Sequence, residues 1–322
     1  MVGSSIQRSS PIGQQLSINM AAESAAQLFS RLGSKQSLEG LDTVFFSDIP
    51  QGVKPGDVIE FHGAEGCGKT EMLLHLIANC ILPKSWKDIH LGGRGVGVIF
   101  VDTDFHFQLL RLVTIMEYRI HRAMRQINER TGIPKFEEKF VFNHASASSS
   151  KDTSKDIEDF IRVCLARLFI LRCNSSLELL ASMLSLEQML IAKPEVCVVM
   201  IDSLSAFYWI DRSTGGESTT DQEEKMRKLI EVIQKYVKEH HLVFIATTHA
   251  IFSASKRTQD GVENYLCKSW LSVVRYRYLF RSHTEYDTSS RSQAVYTAQR
   301  TTPKTNAVKK FHIYEKGIEF MR

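Results

Sequence analysis

The stretch GAEGCGKT at Gly63–Thr70 decides the fold of this 322-residue chain. It has the pattern G-x-x-x-x-G-K-[ST], in which a glycine-rich turn points backbone N–H groups at a phosphate chain. The run VIEF at 58–61 precedes it, and TEMLLHLIANCIL at 70–82 follows it with apolar residues at helical spacing. Because strand, loop and helix are the context that this motif requires, the sequence predicts a nucleotide site here.

The residues of the loop have separate roles in this prediction. Lys69 is expected to lie against the β and γ phosphates of ATP, and the Thr70 hydroxyl is expected to ligate Mg²⁺. Cys67 either fills an unconstrained position of the loop or senses oxidation. A chance match on an ordinary glycine-rich turn is the alternative for the whole motif. The predicted nucleotide-binding set is Gly63, Ala64, Glu65, Gly66, Cys67, Gly68, Lys69, Thr70 and Glu71.

Two carboxylates at the ends of apolar strands complete the expected site. Asp202 ends VCVVMID, where an acid can hold Mg²⁺ from the side opposite Thr70, although an aspartate there can also simply cap a turn. Asp104, in VDTDFHF, is the candidate that polarises the attacking water for hydrolysis. ATP and Mg²⁺ are therefore the predicted cofactors.

Composition and charge limit the class of protein. The chain is 43% hydrophobic and 24% charged, and it has neither a run of about 18 apolar residues nor an apolar signal peptide, so we expect a soluble, non-secreted protein. Its six cysteines lack C-x-x-C spacing, which favours reduced, mostly buried thiols. Residues 255–322 carry 13 Lys and Arg against 6 Asp and Glu, so this end is basic. Such a face is either solvated or contacts phosphates.

The order of apolar segments predicts an α/β fold with a mostly parallel central sheet flanked by helices. Apolar strand candidates alternate with amphipathic helix candidates as far as residue 249. Strand-like segments then predict an antiparallel C-terminal extension of the sheet. The strand candidates lie at 96–102, 168–173, 196–203 and 242–249, the helix candidates at 105–124, 156–167, 176–191 and 219–240, and the C-terminal segments at 270–280, 292–298 and 307–315.

The remaining segments set the expected domain boundaries. Residues 1–20 are rich in Ser and Gln and are expected to be disordered, while 21–33 are typical of one short amphipathic helix. A polar, partly disordered excursion is expected at 125–156. Residues 21–322 are thus predicted to form a single domain, with no separate N-terminal DNA-binding domain.

Four strings, GAEGCGKT, VDTD, VMIDSLSAFYW and FIATTH, resemble the RecA-type recombinase core in their order and spacing. The longer strings ILPKSW, FHFQLLRLVTI and DSLSAFYWIDRSTGGES are similar to the eukaryotic recombinase paralogues. The resemblance covers roughly residues 22–120 and 160–320. It implies a RecA-type P-loop ATPase core in which Lys69 and Thr70 match the Walker A lysine and magnesium threonine, and Asp202 matches the Walker B aspartate.

The resemblance also implies a biological role. It points to homologous recombination repair in the nucleus, as one subunit of a hetero-oligomer of recombinase paralogues with the D-type paralogue as neighbour. The strand-exchange recombinase would be an indirect partner, DNA would be reached through the complex, and no membrane is involved. Recombinase filaments need a helical N-terminal domain and a linker, which do not fit in residues 1–40, so a subunit that does not form filaments is expected.

Three departures from the recombinase pattern bear on activity. Asp104 stands where active recombinases have glutamate, and His249, matching the γ-phosphate sensor, stands where they have glutamine. Trp209 and Gly215 stand where their first DNA loop carries arginines. Since a catalytic group displaced by about 1 Å can lose roughly 10²-fold in rate, we predict weak or no hydrolysis and a mainly structural ATP.

The alternative is a slow, DNA-stimulated ATPase that acts directly on single-stranded DNA. In that case Asp104 is a working base, and Arg212 or basic C-terminal residues contact phosphates. The alternating Tyr276, Tyr278 and Phe280 either stack on bases or face a core. A small-molecule kinase shares only the P-loop with this sequence. The basic C-terminal residues are Lys256, Arg257, Lys268, Arg275 and Arg277.

Overall fold

The computed structural model describes residues 24–25, 38–131, 148–214, 220–250, 266–286 and 292–321. The predicted disordered tail at 1–20 lies outside these ranges, and the helix expected at 21–33 is described at two residues only.

The described strands are numbered in chain order. They are β1 (Val58–Gly63), β2 (Ser85–Trp86), β3 (Ile89–His90), β4 (Gly97–Asp102), β5 (Leu168–Arg172), β6 (Val196–Asp202), β7 (Val243–His249), β8 (Tyr276–Tyr286), β9 (Ser292–Thr302), β10 (Lys304–Tyr314) and β11 (Gly317–Phe320).

The described helices are numbered in the same way. They are α1 (Lys69–Ile81), α2 (Leu109–Thr131), α3 (Ser148–Leu165), α4 (Ser176–Ala192), α5 (Tyr208–Thr214), α6 (Thr220–Glu239) and α7 (Lys268–Val273). None of these helices is both long and apolar enough to cross a membrane.

Nine strands form one sheet in the order β11-β10-β9-β8-β1-β7-β6-β4-β5. The strands from β8 to β5 in this order pair in parallel, and β9, β10 and β11 extend the sheet with antiparallel pairs. Every residue of β1, β4 and β6 is buried, as expected of parallel strands covered on both faces. The predicted α/β fold with an antiparallel C-terminal extension is confirmed.

Two apolar layers cover the sheet. On one face, residues of α1, α2 and α3 pack together with the apolar side chains of residues 38–53. On the other face, α4, α6 and α7 pack against the alternate side chains of the same strands. The core is therefore split by the sheet, and the carboxyl ends of its parallel strands stay accessible for a site.

The segment 38–53 is a part of the core that the sequence did not reveal. The ring of Phe45 is fully buried and lies 5.0 Å from the ring of Tyr278 and 5.6 Å from that of Phe61. Asp42 accepts a hydrogen bond from Nε2 of His75 over 2.6 Å, and Arg119 donates to Nδ1 of the same ring. Burial opposes the charge of Asp42, but its bonds to His75 hold the carboxyl pKa below the usual range. This network fixes the segment to α1 and α2.

Two predicted boundaries differ from the structure. α2 continues to Thr131 and α3 begins at Ser148, so helix occupies both ends of the excursion expected at 125–156, and its middle lies outside the described residues. The segment expected to begin a strand at Trp270 is instead the short helix α7, with β8 starting at Tyr276. The fully buried Trp270 side chain packs into the layer of α4 and α6, and this tertiary contact outweighs the β-propensity of the segment.

Candidate nucleotide site

Four predicted site elements meet at one edge of the sheet. β1, β7, β6 and β4 are consecutive neighbours, so their carboxyl ends lie side by side. Gly63 at the end of β1 is the register partner of His249 at the end of β7, and Asp102 of β4 is the partner of Asp202 in β6. The strand order therefore brings together the phosphate loop, Asp104, Asp202 and His249.

The phosphate loop has the backbone freedom that the motif requires. Gly66 and Gly68 have φ angles of 70° and 89°, in the left-handed region that residues with a side chain rarely adopt. α1 begins directly after Gly68, which has no side chain to cap the first turn. The first N–H groups of α1 are thus left for an acceptor from outside, as at other anion-binding helix ends.

Lys69 closes the loop on itself. Its Nζ donates to the carbonyl oxygens of Gly63 at 2.8 Å and Ala64 at 2.7 Å, and lies 3.7 Å from Sγ of Cys67. The side chain is 5% exposed, so a charged ammonium group is buried without a carboxylate bonded to it in the described structure. A phosphate group bound in the loop would supply a negative charge to pair with this ammonium group.

Thr70 and Asp202 meet as a magnesium site requires. Oγ1 of Thr70 donates to Oδ2 of Asp202 over 2.7 Å, and the Thr247 hydroxyl donates to Oδ1 of the same carboxylate. Burial raises the pKa of Asp202, against the hydrogen bonds from Thr247 and Thr70 that lower it. Among the described residues no Lys or Arg lies within ion-pair distance of this buried carboxylate, which is suited to a hard cation.

Asp104 and His249 form a pair beside this carboxylate. Nε2 of His249 lies 3.1 Å from Oδ2 of Asp104. The main chain of His249 is fixed by a bond from its N–H to Oγ of Ser205. Burial favours the neutral form of Asp104, but bonds from His249 and Ser203 outweigh it and lower the carboxyl pKa. The candidate base is thus ionised and already engaged by the candidate sensor.

The other predicted loop residues have different surroundings. Glu65 at the tip of the loop is exposed, whereas Cys67 is 2% exposed and burial raises its thiol pKa, which favours the space-filling role over oxidation sensing. The Glu71 carboxylate is bound by Arg111, with Nη2 to Oε2 at 2.8 Å. Arg111 also donates to the Tyr314 carbonyl oxygen, so Glu71 links α1 to the end of β10.

These residues fit a nucleotide with its magnesium ion. The uncapped start of α1 and the buried ammonium of Lys69 would hold the phosphates, and Thr70 and Asp202 would hold Mg²⁺. The metal would neutralise phosphate charge and orient the phosphate chain.

Comparisons with known proteins give the family. No protein-family model matches the chain. It is 38% identical to the DNA repair protein XRCC2 of Mus musculus over 314 residues, which cover 93% of this chain and 97% of that protein. The chain belongs to the XRCC2 family of DNA repair proteins. It is also 29% identical over 296 residues to an XRCC2 homolog of Arabidopsis thaliana, covering 80% of this chain and 78% of the relative.

In this XRCC2-family chain, two of the basic residues considered for phosphate contact pair with carboxylates. Arg277 is 6% exposed, and its Nε donates to Oε2 of Glu60 over 2.6 Å. Nη1 of Arg275 binds Oδ1 of Asp57 over 2.8 Å. The pairing with Glu60 removes Arg277 from any surface, so the suggestion that it contacts DNA is wrong.

The aromatic residues of β8 belong to the core. Tyr278 is fully buried, Phe280 is 1% exposed and Tyr276 is 8% exposed, all packed with the layer of α1. Base stacking by these rings is excluded. Lys268 is exposed at the start of α7, whereas Lys256 and Arg257 lie outside the described residues, as does Gly215.

A buried polar chain behind the XRCC2-family site was not predicted. The Thr248 hydroxyl donates to Oε1 of Glu60 over 2.7 Å and lies 2.9 Å from Nδ1 of His62. The ring must therefore donate from Nδ1 to the Thr248 oxygen. Desolvation by burial lowers the pKa of His62 to about 4, so the ring is neutral at pH 7. The chain ties β1, β7 and β8 together directly behind Gly63 and His249.

Sequence reasoning also missed Thr247, Ser203 and Ser205, which bond to Asp202, Asp104 and His249. Their signal was present, because FIATTH and VMIDSLS place hydroxyl side chains at the ends of buried strands, next to the predicted site residues. Strand pairing decides which of these hydroxyls reach the carboxylates, and the sequence does not display strand pairing.

Proposed function

We propose that this chain is an ATP-binding subunit of a nuclear complex of recombinase paralogues, which supports homologous recombination repair of double-strand breaks and stalled forks. The D-type paralogue is the proposed neighbour, and the strand-exchange recombinase and DNA are reached through the complex. ATP and Mg²⁺ serve mainly to stabilise the fold and the complex. The chain itself does not form filaments.

One observation carries the proposal: Thr70 and Asp202 bind each other beside Lys69, while Asp104 is held by His249. These are the groups that would hold a nucleotide and its Mg²⁺. Hydrolysis would need the Asp104 carboxylate, which is one methylene shorter than a glutamate and is bonded to His249. Family membership adds a role in DNA repair.

Thermal unfolding with and without Mg·ATP tests the binding half of the proposal. A nucleotide at 1,000 times its dissociation constant stabilises a fold by about 4 kcal/mol without turnover. We expect Mg·ATP to raise the melting temperature of wild type and not of Lys69→Ala. An equal effect on both proteins, or none on wild type with unchanged partner binding, contradicts the proposal.

The second candidate is a slow, DNA-stimulated ATPase. It is favoured by the position of Asp104, whose main-chain N–H points at the Asp202 carbonyl oxygen over 3.4 Å, directly beside the magnesium site. Turnover that single-stranded DNA stimulates and that Lys69→Ala abolishes would select this candidate.

A further inference from the structure

The phosphate loop packs against the C-terminal extension of the sheet. A Cβ atom built on Gly68 would lie 3.1 Å from Cδ1 of Ile313 and 3.2 Å from Cδ1 of Tyr296. It would lie 3.4 Å from Cε2 of Phe311, whose ring stacks on that of Tyr296 with the centres 5.7 Å apart. The main chain that leads into α1 therefore lies directly on side chains of β9 and β10, with no room for a side chain between them.

Arg111 of α2 makes a second connection between α1 and these strands. Its Nε and Nη2 donate to the carboxylate of Glu71, the residue after Thr70, over 3.0 Å and 2.8 Å. Nη2 also donates to the Tyr314 carbonyl oxygen over 2.6 Å, and Nη1 donates to the Glu315 carbonyl oxygen. One guanidinium group therefore joins the first turn of α1 to the turn between β10 and β11. A lysine has one nitrogen and lacks the planar fork that reaches both ends.

The turn between β10 and β11 also packs on α2. A Cβ atom built on Gly317, whose φ angle is 108°, would lie 3.4 Å from Cγ1 of the buried Ile115. β11 has four residues and is an edge strand of the sheet. Edge strands have main-chain groups without a neighbouring strand, and such segments open locally more easily than central strands. The contacts with α1 and α2 therefore hold a part of the sheet that is weakly held by strand pairing.

Nucleotide binding would act on the same stretch of chain. The N–H groups of the loop and of the first turn of α1 would bond to the phosphates. Nζ of Lys69, which donates to the Gly63 and Ala64 carbonyl oxygens, would pair with them. Binding would thus fix the main chain of residues 63–71, which Tyr296, Ile313 and Arg111 contact. Two events that fix one segment stabilise each other, and the effect is equal in both directions.

We infer that β9, β10 and β11 support the nucleotide site, so that binding of Mg·ATP and packing of these strands on α1 stabilise each other. Arg111, Tyr296 and Ile313 are positioning residues, which act through Glu71 and Gly68. The inference rests on the proposed function, because it requires the chain to bind ATP. It extends that function by making the C-terminal strands a part of the chain that responds to nucleotide.

The test is amide hydrogen exchange of the full chain with and without Mg·ATP, measured by mass spectrometry. Mg·ATP is expected to slow exchange in β9, β10 and β11 by about fivefold or more. β5 is the internal control, because it is the opposite edge strand of the sheet and three strands separate it from β1. Its exchange is expected to change much less. Equal slowing in β5 would mean general stabilisation of the fold and would overturn the inference.

Variants test the contacts themselves. Arg111→Gln is expected to raise the dissociation constant of Mg·ATP in calorimetry by about fivefold or more and to reduce the protection of the C-terminal strands. Arg122→Gln, at an exposed position of the same helix, is its control. Ile313→Val removes the Cδ1 atom nearest to Gly68 and should act in the same direction by a smaller factor. Ile318→Val removes the same methyl from the register partner on β11 and is its control. Both controls are expected to match wild type.

The outcomes separate this inference from the proposed function. If wild type does not bind Mg·ATP in calorimetry, the proposed function fails and the inference fails with it. If Mg·ATP binds but exchange in β9, β10 and β11 is unchanged, the inference alone is overturned. The same follows if Arg111→Gln weakens binding but keeps the wild-type protection of these strands, because Arg111 then acts on the nucleotide alone. Arg111→Lys keeps the charge and is expected to lie between wild type and Arg111→Gln. A thermal melt of each variant shows that it is folded.

Discussion

Nε2 of His249 lies 3.1 Å from Oδ2 of Asp104, although the two residues are 145 positions apart in the sequence. Both differ from the recombinase pattern, and the structure shows that the two departures are in contact. The shorter carboxylate is bonded to an imidazole, so the two side chains act as one unit.

The acidity of Asp104 should therefore depend on His249. In His249→Gln the imidazole that bonds to the carboxylate is lost, so we expect the Asp104 pKa to rise from its lowered value, as measured by carboxyl NMR. An aspartate with a lowered pKa adds to the free energy of unfolding above pH 3.8, and this contribution is lost as the pH falls through the pKa of the folded state. The variant lacks most of this contribution, so its free energy of unfolding should fall less than that of wild type in acid. An unchanged Asp104 pKa in the variant would show that the contact with His249 does not stabilise the charged carboxylate.

Neutralising Asp202, the buried acid of the proposed magnesium site, should affect the stability of the fold and the binding of Mg·ATP differently. Burial raises the pKa of Asp202, so ionising it costs the folded protein free energy without a cation. Asp202→Asn should therefore melt no lower than wild type without nucleotide, yet lose the stabilisation by Mg·ATP. Differential scanning calorimetry measures both. A retained Mg·ATP shift would remove Asp202 from the site.

Acid should destabilise the protein through His62. Its pKa is about 4 in the folded state against 6.5 as reference, so the unfolded chain binds the proton first. Stability should be constant above pH 6.5 and fall by up to about 3 kcal/mol between pH 6.5 and 4. His62→Asn keeps a donor toward Thr248 and should flatten this slope in urea titrations. His75, whose pKa burial also lowers, adds to the slope in both proteins. If the free energy of unfolding depended on pH equally in wild type and His62→Asn, His62 would not be the cause of the loss in acid.

The buried pair of Arg277 and Glu60 gives a stability prediction. Arg277→Ala leaves the fully buried Glu60 unpaired and should cost about 3–5 kcal/mol in chemical denaturation. The control is Arg281→Ala, at an exposed position of the same strand, with an expected change within about 0.5 kcal/mol. The double variant Glu60→Leu with Arg277→Met should recover much of the loss. A small effect of Arg277→Ala would reopen a surface role for this residue.

The sequence predicted those parts of the molecule that depend on local pattern. The strand, loop and helix around Lys69 and the strand that ends at Asp202 follow from periodicity and motif. The order of apolar segments likewise predicted the parallel sheet.

Pairing between distant segments could not be predicted in the same way. The sequence alone indicates that Arg277 is a surface cation. Arg277 is buried because β8 pairs with β1 in the register that places it opposite Glu60. The bond between Asp104 and His249 likewise depends on β7, β6 and β4 being neighbours in the sheet. The burial of Trp270 turns a strand-like string into α7.

The most direct test of the central claim is ATP binding and turnover by wild type, Lys69→Ala and Asp104→Glu, each with and without single-stranded DNA and the D-type paralogue. We predict that wild type binds Mg·ATP but turns it over no faster than Lys69→Ala, while Asp104→Glu gains activity, because a longer carboxylate restores the reach that hydrolysis requires. DNA-stimulated turnover by wild type that Lys69→Ala abolishes would contradict the account and make Asp104 a working base.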